Sequence, residues 1–214
     1  MNSRRLNNAD RFIMHLDTAV RTLFGAPQHT ERSNPADEID ESELSEQQQR
    51  HVAGLMRVNH AGEVAAQGLY QGQSLTARLP EVREKMQRAA LEENDHLAWC
   101  QKRVNSLGEN TSLLNPLWYV GSVAIGAVAG KIGDKWSLGF VAETEHQVIR
   151  HLDEHLEQLP KQDEKSRAIL EQMKEDESQH AITALDAGGA ELPEPVKKFM
   201  ALTSKVMTKT AYRI

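Results

Sequence analysis

The sequence holds a single cysteine, Cys100, which excludes an intrachain disulfide framework and any CxxC zinc or redox motif. Aromatic residues are few, ten in 214, and β-branched runs are scarce, so a strand-rich fold has little to build on. Thirteen Gly and seven Pro are too few for a collagen-like or low-complexity chain. Positive charge is not in excess: 25 Lys and Arg against 31 Asp and Glu leave −6, which argues against nucleic acid as a partner. No GxGxxG is present, so a nicotinamide or flavin domain has no support. No run reaches the roughly 18 uninterrupted apolar residues of a spanning helix. The nearest, 113–130, is uncharged but diluted by Ser, Asn, Pro and three Gly. Nor is the opening MNSRRLNNAD followed by the apolar stretch a signal peptide needs, so the cytoplasm is the expected compartment.

What is present reads as helix. Residues 10–24 form an amphipathic pattern with Phe12, Ile13, Leu16, Val20 and Leu23 on one side. The polar, acid-rich stretch 26–43, with Pro27 and Pro35, reads as a linker or mobile loop. This divides the chain into an N-terminal arm, 1–44, and a main domain, 45–214. Ser45 is a plausible N-cap for a helix over 46–78, and Pro80 suits the first turn of a second helix ending near Gly108. Asn115-Pro116 opens the uncharged segment, and Asp134 is expected to cap a helix running to Leu159. Another helix from about Pro160 stops at Gly188-Gly189, and a last one follows Pro193 and Pro195. Four long helices in the order hairpin, crossover, hairpin predict an all-α, ferritin-like four-helix bundle with added N-terminal and C-terminal helices.

The apolar registers of those four helices contain charge. They read Val52, Met56, Asn59, Glu63, Ala66, Tyr70; then Val82, Met86, Ala89, Glu93, His96/Leu97, Cys100, Val104, Leu107. The second pair reads Leu138, Val141, Glu145, Val148, Leu152, Leu156, Leu159; then Leu170, Met173, Glu177, His180, Ala184. Each helix thus carries one core carboxylate, and two of them add a histidine three residues later. Burying a carboxylate costs several kcal/mol even after relaxation unless it is paired or metal-bound. Lys and Arg are absent from the middle turns of these registers, whereas two divalent ions would supply the missing charge. Carboxylate oxygen mixed with imidazole nitrogen suits iron or manganese. The spacing repeats: Glu63 to Glu145 is 82 residues, while Glu93 to Glu177 and His96 to His180 are both 84.

Other matches carry less. A third ExxH, Glu143 to His146, falls in register with Arg150 and Asp153, so both residues are expected on the charged side. His151-Leu-Asp-Glu-His155 has the HxxEH form of inverted zinc peptidases but lacks a free downstream ligand. Gly126 to Ile132 fails as a phosphate loop, with three residues between its glycines and Ile after Lys131. Cys100 lies on the core face and reads as a small buried group. Tyr70, seven residues after Glu63, is on the ligand face, either as core packing or as a hydrogen-bond partner of a ligand or substrate.

Arg57 to Gln73 (RVNHAGEVAAQGLYQGQ), Glu92 to Leu97 (EENDHL), Ala142 to Leu156 (AETEHQVIRHLDEHL) and Glu175 to Ala181 (EDESQHA) resemble the demethoxyubiquinone hydroxylases of ubiquinone biosynthesis. The likeness runs from about residue 45 to the C-terminus and leaves 1–44 unexplained. It implies two iron ions per chain, with Glu63, Glu93, His96, Glu145, Glu177 and His180 as ligands. By the same likeness Glu93 and Glu177 bridge, Glu63 and His96 complete one iron, and Glu145 and His180 the other. The implied activity is that of a monooxygenase: O₂-dependent hydroxylation of a prenylated methoxy-benzoquinol, with electrons from an unidentified reductant. The alternative carried by the same ligands is a ferritin-like ferroxidase or iron-binding protein.

Two segments suit a lipid-soluble substrate. After Glu194 come five basic residues (Lys197, Lys198, Lys205, Lys209, Arg213) and no acid, with Val196, Phe199, Met200, Val206 and Met207 as an apolar side. The crossover offers Trp118 and Tyr119, then Gly126 and Gly130 in GxxxG spacing, suited to interfacial burial or helix pairing. The expectation is a peripheral protein on the anionic, cytoplasmic side of the cell membrane. A second copy of the chain or other ubiquinone-biosynthesis proteins are the expected protein partners.

Overall fold

The computed structural model describes residues 8–25, 30 and 32–214. Among them are seven α-helices and no strand: α1 (Asn8–Phe24), α2 (Glu46–Thr76), α3 (Pro80–Ser106), α4 (Asn115–Ile132), α5 (Asp134–Gln158), α6 (Glu164–Asp186) and α7 (Glu194–Ala211). The chain is all-α, as its periodicity predicts. The long helices pair as expected: α2 lies against α3 and α5 against α6, while α3 meets α6 and α2 meets α5 across the interior. The four predicted registers point inward, with Val52, Met56, Cys100, Val104, Leu152, Leu170 and Met173 all at or below 1% exposure.

Local chemistry sets the helix ends, partly in ways the sequence conceals. Ser45 caps α2 in a full capping box with Gln48. Asp134, expected to cap its own helix, instead accepts from the backbone N–H groups of Arg78 and Leu79 (3.0 and 2.9 Å) and so secures the turn into α3. Its own helix begins at Gly133, whose φ of 144° favours glycine. Asn115 does not cap α4; its side chain reaches His60, 3.3 Å away. The helix expected from Pro160 starts at Glu164, where Asp163 accepts from the Ser166 N–H.

The crossover segment is a helix laid tightly along α2. A Cβ on Gly126 would strike the Leu69 carbonyl, and one on Gly72 would strike the Val123 carbonyl and Ala127 nitrogen. Gly68 and Gly72 on α2 receive the α4 backbone at Tyr119 and Val123, while Gly126 and Gly130 on α4 receive α2 at Leu69 and Gln73, so the GxxxG spacing serves helix pairing within the chain. No helix among the described residues is long and apolar enough to cross a membrane.

The arm departs from its reading. On α1, Ile13, Leu16 and Val20 face solvent, while Ala19, Thr22 and Leu23 turn to the bundle. The side chain of Phe12 lies outside the described residues, as does Pro27. From Arg32 on the polar stretch is docked, not loose: Ala36 is buried in the main core, and Glu41 meets Arg103 at 2.8 Å.

Candidate metal centre

Four helices each deliver a glutamate to one buried point. Glu63 (α2), Glu93 (α3), Glu145 (α5) and Glu177 (α6) are all at or below 3% exposure. Glu63, Glu93, His96 and Glu177 each bring one ligand atom to within 4.8 Å of the others. His96 Nδ1 stands 3.2 Å from both Glu93 and Glu177 and 3.8 Å from Glu63. His180 Nδ1 mirrors it, 3.1 Å from Glu93 and 3.2 Å from Glu177. Glu145 accepts a hydrogen bond from the Tyr70 hydroxyl. Of the six sequence-predicted residues, Glu63, Glu93, His96 and Glu177 converge, His180 joins them through Glu93 and Glu177, and Glu145 is buried but bonded to Tyr70 instead of to the cluster.

The outward nitrogens are held by residues the sequence reading missed. His96 Nε2 bonds Asp176 at 2.8 Å, and His180 Nε2 bonds Glu92 at 2.7 Å. The signal lay in the acid directly before each ExxH glutamate. Adjacent helical residues differ by about 100°, so the neighbouring acid aims across to the opposite helix's histidine. Orienting the imidazole by its other nitrogen in this way is what a metal ligand requires.

The charges do not balance within the protein. Burial, then neighbouring Glu93, pushes Glu63 well above the usual carboxylate range. Burial with Glu177 and Glu93 does the same to Glu145. Burial would raise Glu93 too, but hydrogen bonds with His180 and His96 outweigh it and hold it well below its ordinary value. Burial opposes charge on both histidines, yet bonds to carboxylates win: Asp176 and Glu177 raise His96 strongly, and Glu177 and Glu93 raise His180 to about 12. Two imidazolium charges against four carboxylates leave Glu63 and Glu145 driven towards the neutral form. Glu93 Oε1 is buried, with His180 Nδ1 beside it 3.1 Å away. A hard, convergent oxygen and nitrogen set short of positive charge fits a metal ion.

The remaining sequence matches resolve differently. His146 is exposed, but Glu143, expected on the charged side, is 8% exposed and bound by Gln147 and Arg150, because α7 covers that face. His155 is buried, bonds Asn59 at 2.8 Å and is lowered by burial to about 4, while His151 meets Ser204 at 3.1 Å. Neither joins a metal cluster among the described residues. Cys100 is fully buried, its thiol pushed up by burial, with Met173 sulfur 3.6 Å away. Arg103 is buried between Asp163 at 2.9 Å and Glu41 at 2.8 Å, a contact between distant segments with no signal in the sequence pattern.

Beside the cluster lies a cavity of about 420 Å³ between α2, α4, α5 and α7, within the range of small-molecule sites. Glu63 is part of its wall. Leu69, Trp118, Ile125, Phe140, Val148 and Met207 make it mainly apolar.

An all-helical bundle with a buried carboxylate and histidine cluster has the arrangement in which helical carboxylate proteins can hold metal. A model of the family described as ubiquinone biosynthesis protein COQ7 matches residues 50–211, and the chain belongs to that family. It is 62% identical over 214 residues to a 3-demethoxyubiquinol 3-hydroxylase of Nitrosococcus oceani, covering all of both chains. It is 60% identical over 211 residues to the 3-demethoxyubiquinol 3-hydroxylase of Stutzerimonas stutzeri, covering 99% of this chain and 98% of that one. The protein so named from Pseudomonas putida is 59% identical over the same length and coverage.

Proposed function

We propose that this chain is a di-iron monooxygenase that uses O₂ to hydroxylate the ring of demethoxyubiquinol, a prenylated methoxy-benzoquinol, in ubiquinone biosynthesis. The observation that carries this reading is the apolar cavity with Glu63 in its wall, in which an organic substrate would lie beside the ligand cluster. The hydroxylase name shared by relatives at about 60% identity supports it and gives no support to the ferroxidase alternative. Glu63 and His96 would hold one iron, Glu145 and His180 the other, with Glu93 and Glu177 between them. Bound there, iron supplies the O₂-activating redox chemistry.

The rest falls to the chain. The apolar wall binds the ring and prenyl tail and excludes water from the reacting face. Thr144, Gln147, His151 and Ser204 on the α5 and α7 side are among the polar groups that line it and could meet ring oxygens. Asp176 and Glu92 fix the histidines, and Tyr70 holds Glu145 in place. One oxygen atom enters the ring and the other leaves as water, which requires two electrons and two protons from an external reductant.

The cavity's outer walls support contact with anionic lipid. On α7, Val196, Phe199, Leu202 and Val206 are exposed among Lys198, Lys205 and Lys209. Met200 is buried and Met207 half-buried, and both line the cavity, so the exposed stripe gains Leu202 and loses two residues of the expected face. Leu117, Val120, Val128 and Ile132 are exposed on α4. A peripheral position on the cytoplasmic side of the cell membrane would let the substrate pass from bilayer to cavity.

Elemental analysis tests the metal part: about two irons per chain, lost from both positions in Glu177→Ala and retained in His146→Ala. Iron unchanged in Glu177→Ala would refute the ligand assignment. Sedimentation with anionic vesicles tests the membrane part. Changing Lys198, Lys205 and Lys209 to Gln should weaken binding by roughly 1 kcal/mol each at low salt, and unchanged binding would remove α7 from the interface.

A further inference from the structure

The two histidines sit in matching geometry but are backed unequally. Glu92, behind His180, is 29% exposed and is met by Arg88, itself 83% exposed, at 3.2 Å. Asp176, behind His96, lies under the docked N-terminal segment. Arg32 Nη1 bonds Asp176 Oδ2 at 2.8 Å, the oxygen that His96 Nε2 also contacts. Arg32 Nε bonds Asp95 at 2.9 Å, and Asp95 is 1% exposed. The Thr30 N–H donates to the same Asp95 at 2.7 Å. The Arg32 guanidinium also stacks 5.1 Å above the Trp99 ring, which lies 5.4 Å from the His96 ring. Farther along, Ala36 is buried and Glu41 bonds Arg103, so the segment is anchored beyond the contact as well. This strap precedes residues 50–211, the stretch the family model matches.

We propose that Arg32 is a positioning residue that locks the His96 half of the metal centre, making the two metal positions unequal in their hold on iron. The inference rests on the metal reading above and extends it to the arm. Asp176 keeps His96 aimed only while its own carboxylate is fixed. Gln172 Nε2 donates to its Oδ1 at 3.0 Å, and Arg32 fixes Oδ2, the oxygen on His96, through a planar fork shared by two carboxylates. Removing the direct partner of a ligand, here Asp176, typically weakens metal binding 10–100-fold, and Arg32, one contact further out, sets the lower end of that range. An exposed i, i+4 pair such as Arg88 and Glu92 gives far less restraint. The His180 position is therefore the one that exchanges first.

The test uses full-length protein loaded anaerobically with ferrous iron and then mixed with excess ferrous chelator, release being followed by absorbance. Two phases of equal amplitude are expected. Arg32→Ala should accelerate the slow phase by about tenfold and leave the fast phase alone. Arg32→Lys, able to pair with one carboxylate, should restore part of the slow phase. Arg88→Ala should change only the fast phase. Circular dichroism of each variant checks that the helices persist. Uptake of two irons with release unchanged in Arg32→Ala, or with both phases accelerated alike, overturns the lock and leaves the metal reading standing. Failure to retain iron at all overturns the metal reading and the lock with it.

Discussion

Tyr70 on α2 donates its hydroxyl hydrogen to Glu145 on α5, and the two side chains are 2% and 1% exposed. Burial, reinforced by the charges of Glu145 and Glu93, drives the Tyr70 phenol well above its ordinary range, so it acts as a neutral donor. Its bond ties the two hairpins together and fixes the Glu145 carboxylate.

Tyr70→Phe removes that donor while keeping the ring. Loss of a buried hydrogen-bond partner should cost roughly 1–3 kcal/mol. The loss should be largest in the chelator-treated protein, where Glu145 has no other partner of comparable strength. Thermal unfolding with and without iron measures it. Equal destabilisation in both states would detach Tyr70 from the metal centre.

The metal-free protein should lose stability as pH rises from 7 to 9. His96 and His180 are raised in the folded state, so they keep protons that the unfolded chain has released above about 6.5. Glu63 and Glu145, raised well above 4.5, add to the effect for as long as they stay protonated. Each retained proton contributes stability that is complete below the unfolded value and falls by about 1.4 kcal/mol per pH unit above it. Metal binding requires these groups deprotonated and strengthens in the same direction. The gap in melting temperature between iron-loaded and chelator-treated protein should therefore widen from pH 7 to 9. A gap that narrows would contradict the protonation pattern. His60 and His155, both lowered by burial to about 4, work the other way. Their contribution is whole above 6.5 and disappears as pH falls through 4.

Gly126→Ala should loosen α4 from α2, since a Cβ there meets the Leu69 backbone, which cannot yield as a side chain would. Overpacking of this kind costs about 1–3 kcal/mol. Gly121→Ala, where a Cβ meets nothing within 4 Å, is the control and should be neutral or slightly stabilising. Denaturant unfolding compares them, and equal midpoints would mean that the crossover does not need its close approach.

The cluster was legible because helical periodicity is a strong local signal. Glu63, Glu93, Glu145 and Glu177 fall in register with Met56, Met86, Leu138 and Leu170, and that register predicts burial without knowledge of the partner helix. What stayed hidden depends on contacts between distant segments. Asp134 serves the backbone of Arg78, Glu143 is covered by α7, and Arg32 reaches Asp176 across 144 positions of sequence. Periodicity says which side of a helix is apolar but not which neighbour arrives there. For the same reason the outward face of α7 carries Leu202, while Met200 and Met207 turn to the cavity.

A quinol held in the cavity beside Glu63 should be oxygenated at the Glu/His cluster. The direct measurement gives iron-loaded protein a chemical reductant, a demethoxy-type quinol and ¹⁸O₂, and follows product mass and ferric iron retained per chain. The predicted result is one ¹⁸O atom in the hydroxylated quinol, abolished in Glu145→Ala, with no more than the two resident irons per chain. Quinol without label, alongside tens of ferric ions accumulated per chain, would contradict it.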